Sequence, residues 1–221
     1  MTLAYPLMNE PIRFTENRVN VLVIENAVEL RRFLLCLKEQ INGLAGELVL
    51  GENGDVIELP KNAFLITDPF AIDFDSKKLL TKIAQDACSA GAEFAEDFVC
   101  VMAQLNKLAQ QISSSLDYEA SFDPVGSWDE LVKIMGFHID RETLSFPEQL
   151  LECIKLQRLF FGKKLFIFYN LKACLNSEEL ALFYRSVFYE KLNILLVEDA
   201  QRGASNFCEN IIIVDKDLCI I

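Results

Sequence analysis

The sequence predicts an α/β protein whose sheet-forming head is drawn from both ends of the chain and interrupted by a long helical insertion. Three observations predict it. Continuous apolar strand-like runs fall before residue 75 and after residue 162, the pattern of parallel strands buried on both faces. Between them, from Ser76 to Phe161, no apolar strand-like run occurs and helical periodicity dominates. Finally, Ala63 to Leu80 reads strand, loop, helix, the arrangement by which nucleotide-binding α/β folds hold phosphate. Its loop, Thr67 to Ser76, contains no glycine, so successive N–H groups cannot converge on an anion as they do in a phosphate cradle. The fold class is therefore α/β: a discontinuous head, residues 1–75 and 162–221, laid out as a nucleotide-binding scaffold without its usual phosphate chemistry, with an α-helical subdomain inserted over 76–161.

The elements follow in order. A short strand is expected near Ile12 to Phe14, then Asn20 to Ile24, apolar on both faces like a buried strand. Val28, Leu30, Phe33, Leu34, Leu37 and Ile41 recur at near-helical spacing, and Gly43 stands where that helix should stop. Glu47–Leu50 and Val56–Leu59 flank Asn53-Gly54, the strongest short-range hairpin signal. Phe64 to Thr67 supplies the next buried strand. In the insertion, Phe94, Phe98, Val101, Met102, Leu105, Leu108, Ala109 and Ile112 form one sustained stripe. Ser127/Glu130 and Ser145/Glu148 have capping-box spacing, with Gly136 and Gly162 as stops. Leu165–Tyr169, Asn193–Val197 and Asn210–Val214 then read as central parallel strands, the first two joined by a helix over Glu178 to Lys191, opened by Asn176 or Ser177.

At 221 residues, the chain is long enough for one large core or a core with an inserted subdomain. The net charge of −12 argues against nucleic acid if charge is spread evenly; cations gathered on one surface, or divalent ions, reverse that argument. Seven cysteines without CxxC or CxxH spacing indicate neither a disulfide framework nor a zinc site, and are read as small buried hydrophobes in a reducing compartment. The start lacks a basic and then apolar leader pattern, and no run approaches the ~18 apolar residues of a membrane span. A cytoplasmic protein without a membrane partner is expected.

Few residues suggest chemistry. GxxxxGK[ST] is absent from the chain, which counts against nucleotide turnover. Glu25 and Glu198-Asp199 end strands, where a carboxylate can hold a metal but more often meets water. His138, the single histidine, has no nucleophile signature beside it. Asp117, Glu119 and Asp123 offer oxygen ligands at alternating positions on a bendable stretch, the donor type that hard cations want, though without the EF-hand glycine and distal Glu. The cations fall into small groups: Arg31-Arg32 with Lys38, Lys77-Lys78 with Lys82, Lys107, Lys155 with Arg158, and Lys163-Lys164. Each alone suits a solvated face; an oligomer would multiply one patch around a shared surface.

The order of these pieces resembles the accessory adaptation protein family of type II-A CRISPR systems, the Csn-two family. The likeness is carried by Asn9-Glu10-Pro11-Ile12, Val21 to Asn26, Leu65 to Asp68 with Asp73 to Ser76, Lys163 to Phe168, and Leu195 to Glu198. The resemblance implies a degenerate P-loop-NTPase-like α/β head with an inserted α-helical leg subdomain, assembling as a ring-shaped homotetramer that encircles double-stranded DNA and holds its free ends, without hydrolysing nucleotide. It also implies calcium (Ca2+) in assembly and DNA binding, and a role in spacer acquisition with the CRISPR integrase proteins and the large effector nuclease. The chain departs from the family pattern in having Ala71 in place of a Gly, Asp75 in place of an Asn, and Gly162 in place of a lysine.

Sequence-independent duplex binding needs phosphate contacts and no base-reading motif. Arg31, Arg32, Lys77, Lys78, Lys82, Lys163 and Lys164 are the expected DNA-binding residues; Asp117, Glu119 and Asp123 are the expected metal ligands. No catalytic residue and no nucleotide are expected. The competing readings are a P-loop-like nucleotide-binding enzyme, which the missing Gly-Lys-Ser/Thr disfavours, and an acidic protein–protein adaptor without DNA binding.

Overall fold

A computed structural model describes residues 1–203 and 208–221. It falls into two compact units, residues 1–72 with 141–221, and residues 73–140.

The first unit contains two sheets. The smaller is antiparallel, in order β2-β1-β4-β5, from β1 (Thr2–Ala4), β2 (Ile12–Arg13), β4 (Val49–Glu52) and β5 (Asp55–Ile57). Asn53 and Gly54 both take positive φ, 54° and 93°, between Glu52 and its partner Asp55, so the predicted hairpin forms on the two residues that tolerate that backbone. The larger sheet is wholly parallel, in order β6-β7-β8-β3-β9, from β3 (Val19–Ile24), β6 (Ala63–Ile66), β7 (Leu165–Tyr169), β8 (Asn193–Glu198) and β9 (Glu209–Val214). Every residue of β3 is buried, as an inner strand covered on both faces requires.

The first of these parallel strands in the chain thus lies inside the sheet and the second, β6, lies at its edge. That is the arrangement of a P-loop-NTPase-like head. Helix α1 (Ala27–Ile41) covers one face: Leu30, Phe33 and Leu37 pack with Leu22, Ile24, Leu165, Ile167, Leu195 and Val197, and with Leu3, Ile12 and Leu50 of the small sheet. A one-turn helix, α2 (Leu59–Asn62), leads into β6. On the other face Phe168 meets Phe183 of α7 (Ser177–Tyr189) edge-on at 5.7 Å.

The second unit holds α3 (Lys77–Gly91), α4 (Ala95–Ser114) and α5 (Trp128–Met135). Gly91 is required where α3 ends, because a Cβ there would lie 2.8 Å from the Trp128 ring; Phe98 stacks on the same ring at 4.4 Å. α6 (Phe146–Phe161) falls in the first unit, whereas the sequence reading put the insertion at 76–161. The reason is packing: α6 lies against α7 and buries Leu150, Cys153, Ile154 and Leu156. Both predicted capping boxes form, at Ser127/Glu130 and Ser145/Glu148, and Gly136 and Gly162 end their helices in the left-handed conformation.

Candidate nucleic-acid interface

The place a phosphate loop would occupy is the junction after the inner first strand, between β3 and α1. Only Glu25 and Asn26 separate them, too few for the GxxxxGK[ST] loop. Asn26 Oδ1 accepts from the N–H groups of Val28 and Glu29, each at 3.1 Å, and its Nδ2 donates to the carbonyl of Lys216 at 2.9 Å. The donors that would receive a phosphate are therefore consumed by the helix's own cap.

This corrects the sequence reading, which placed the stripped cradle in the loop after Phe64–Thr67. That loop leaves an edge strand, and two Asx turns shape it without glycine: Asp68 Oδ1 accepts from Phe70 N–H and Asp73 Oδ1 from Asp75 N–H, both at 2.9 Å.

The carboxylates at the end of β8 are likewise engaged. Glu198 is wholly buried; it accepts from the Lys172 backbone N–H at 3.0 Å and from Arg202 Nη1 at 3.1 Å. Burial pushes its carboxyl up, opposed by those contacts. Asp199 Oδ1 lies 2.6 Å from Arg202 Nη1, and the bond to Arg202 holds its carboxyl down. Beside them, buried Lys172 pairs with Glu209 at 3.0 Å, and Tyr184 donates its hydroxyl to the same carboxylate at 2.6 Å. Protein cations thus stand where a nucleotide enzyme would leave carboxylates open to a divalent ion. Glu198-Asp199 stands out in the sequence at a strand end, whereas Lys172, Arg202 and Glu209 do not; Arg202 at i+4 from Glu198 is the one local signal.

The predicted DNA-binding residues do not form one set. Lys77, Lys78 and Lys82 project from the first turn and a half of α3, all exposed. Among the described residues none of the three pairs with a carboxylate. Two lysines at an N-terminus oppose the helix dipole, and Ser76 makes no side-chain cap there, so positive charge at this end is left uncompensated by the helix itself. Arg31 is exposed on α1. Arg32 on the same helix is held 2.8 Å from Glu47 and 3.8 Å from Glu29. Lys163 donates to the carbonyl of Pro60, and Lys164 lies 2.6 Å from Glu52.

The expected metal ligands do not converge either. Asp117 and Glu119 line one shallow opening beyond α4 with Ser113 and Tyr118, and Asp123 is not part of its wall. Among the described residues no three His, Cys, Asp or Glu side chains are placed to hold a metal ion. One chain by itself therefore does not build the calcium cage on these residues. His138 is exposed, its Nδ1 2.8 Å from the Gly136 carbonyl, and meets no nucleophile among the described residues.

A second surface feature lies on α4. Its stripe divides: Met102 is buried and Ala109 half-buried, on the side where Ser113 Oγ donates to Ala120 O. Phe94, at the cap just before the helix, and Val101, Leu105, Leu108 and Ile112 on it are left 39–56% exposed. With Phe98 they follow the alternating four- and three-residue spacing of a coiled-coil seam.

Among the described residues no helix is long and apolar enough to cross a membrane. None of the curated proteins compared matches this chain. Among solved structures, cbiO1 from Clostridium perfringens, part of the ABC transporter complex cbiONQ, is similar at 12% identity and TM-score 0.47, over 94% of this chain and 77% of that one. A putative ABC transporter ATP-binding protein from Pyrococcus furiosus is similar at 10% identity and TM-score 0.38, over 95% and 93%. The strand order, not these likenesses, carries the fold assignment. The sequence itself identifies the family: a family profile matches residues 40–218, and the chain belongs to the CRISPR-associated protein (Cas_Csn2) family.

Proposed function

We propose that this protein is a non-catalytic, sequence-independent binder of double-stranded DNA ends, acting in the cytoplasm during CRISPR spacer acquisition as a ring-shaped homotetramer. The observation that carries the DNA reading is the exposed lysine group at the start of α3, unpaired among the described residues, in a chain of net charge −12. In so acidic a protein, free cations concentrated at one helix end are the feature that meets a phosphate backbone. The exposed seam of α4 supports self-association, since a heptad stripe is complementary to a second copy of itself. Repeating the lysine group around an assembly multiplies the phosphates neutralised.

The same reading makes the protein an accessory rather than a nucleotidase. The closed β3–α1 junction and the cation-filled end of β8 support that part. The integrase proteins and the large effector nuclease are the proposed partners in acquisition. Calcium is assigned no step in duplex binding by a single chain, because Asp117, Glu119 and Asp123 do not converge there; it belongs to the proposal only as an ion of the assembled ring.

A gel-shift series with linear duplexes of unrelated sequence, with calcium and with chelator, beside a sizing measurement, tests the reading. The expected result is equal binding of the sequences by a tetramer and no ATP turnover. ATP hydrolysis would favour the nucleotide enzyme. Absence of duplex binding at any calcium concentration would favour the acidic adaptor.

A further inference from the structure

At the amino-terminal edge of the parallel sheet, opposite the β3–α1 junction, the first unit contains a cavity of about 330 Å³. Arg158, Lys163, Lys164 and Lys191 line it, and among the described residues Glu52 is the single carboxylate in its wall. In a chain with 33 acidic and 21 basic residues that ratio is inverted. It sits on Phe166 and Leu192, at the starts of β7 and β8.

The cations are unequally satisfied. Lys164 pairs with Glu52 at 2.6 Å, and Lys191 meets Glu16 only loosely, at 3.6 Å with both side chains at least 70% exposed. Arg158 donates from Nη1 to the carbonyl of Glu190 at 2.7 Å, which caps α7 but neutralises nothing. Lys163 is half-buried, and its ammonium donates to the carbonyl of Pro60 with no carboxylate beside it among the described residues. Burial without a counter-charge pushes its pKa down. A partly desolvated cation ordinarily has an anionic partner. Here the chain supplies two carbonyls, for Arg158 and Lys163, and leaves the charge uncompensated. A compact, doubly charged oxyanion would supply what is missing, through charge-assisted bonds to a guanidinium and to ammonium groups.

We infer that this cavity is a receptor for a phosphate monoester. Its volume is at the low end for small-ligand sites, so it suits a phosphate with at most a mononucleotide attached. The shared chemistry has two sources, a free mononucleotide and the 5′-phosphate at a DNA end. The inference does not depend on the α3 lysines, which belong to the other unit.

Calorimetric titration with inorganic phosphate, dAMP and adenosine tests it. Phosphate and dAMP should bind and adenosine should not. Arg158→Gln with Lys191→Gln, both exposed side chains, should weaken phosphate binding by about tenfold for each cation removed, while Lys77→Gln leaves it unchanged. Lys163→Met keeps the stem and removes the uncompensated charge; it should abolish the phosphate-induced rise in melting temperature without lowering the melting temperature of the free protein. Blunt duplexes with 5′-phosphate or 5′-hydroxyl distinguish the sources: a phosphate preference that disappears in the Arg158→Gln protein identifies the DNA end, and equal ends with retained dAMP binding identify the free ligand. Absence of phosphate binding, or binding that survives both the double variant and Lys163→Met, overturns the inference. Duplex binding that fails only with the α3 variants leaves it standing.

Discussion

Replacing Lys77 and Lys78 by Gln isolates the charge at the start of α3. Both side chains are exposed and project from the first turn. Gln has nearly the helix propensity of Lys, and removing cations from an N-terminus relieves the dipole, so the helix is retained. If each lysine neutralises one phosphate, each contributes about 0.9 to the slope of log K against log salt, so the double variant flattens that slope by ~1.8 for every chain engaged. At ~0.1 M salt the same two contacts are worth ~1.8 decades of affinity, about 60-fold, or ~2.5 kcal/mol. The assay is fluorescence anisotropy of a labelled linear duplex at four or more salt concentrations, with melting temperature as the control for folding. An affinity and a slope that both match the unsubstituted protein refute the assignment of DNA binding to this helix end.

Further outcomes follow from other parts of the structure. Leu105→Glu with Leu108→Glu puts charge into the exposed α4 seam; sedimentation velocity should show a smaller species with unchanged helix content, and an unchanged tetramer would remove α4 from the interface. Asn26→Ala frees the first-turn N–H groups of α1 and should cost about 1 kcal/mol in denaturant unfolding; if it instead creates ATP binding, the cap is what closes the junction. Glu209→Gln leaves Lys172 buried without its carboxylate and should cost roughly 3–5 kcal/mol; a loss below about 1 kcal/mol would mean the pair is solvated. Glu130 is held below the usual carboxylate value of 4.5 first by the Gly126 N–H, and Glu148 by the Ser145 hydroxyl. Folded values below unfolded ones give stability that is fully present above pH 4.5 and lost as pH falls through the folded values. Buried Glu198 has the opposite sign, since its raised carboxyl costs stability when ionised. Melting curves between pH 3 and 6 (roughly the carboxylate range) should therefore drop less steeply in Ser145→Ala than in the unsubstituted protein.

Local signals were legible in the sequence, and long-range partners were not. The Asn53-Gly54 hairpin, both capping boxes and the doubly apolar strands formed because each is decided within a few residues. Asn26 before α1 is a cap signal of the same local kind. The periodicity of α6 announced a helix, but which surface its apolar face would cover depended on α7, which begins sixteen residues after α6 ends. Strand order was equally hidden: nothing near Phe64 says that β6 is an edge strand, and that fact moved the vacant phosphate position to β3–α1. Lys163 and Lys164 looked like a free basic pair, yet their partners, Pro60 and Glu52, lie more than a hundred residues away. The carboxylates Asp117, Glu119 and Asp123 have oxygen ligands in the right rhythm, but loop geometry, not composition, decides whether such oxygens converge.

A closed ring can take up duplex DNA only at a free end, and competition between linear and covalently closed circular duplexes of one sequence separates that from binding along the side. The labelled linear duplex is bound first and each unlabelled form is titrated in. A closed ring that threads onto ends predicts that linear competitor displaces the label while closed circles of equal mass do so far less well, and that cutting the circle once restores competition. Equal competition by intact circles would contradict end loading and leave only an open cationic surface.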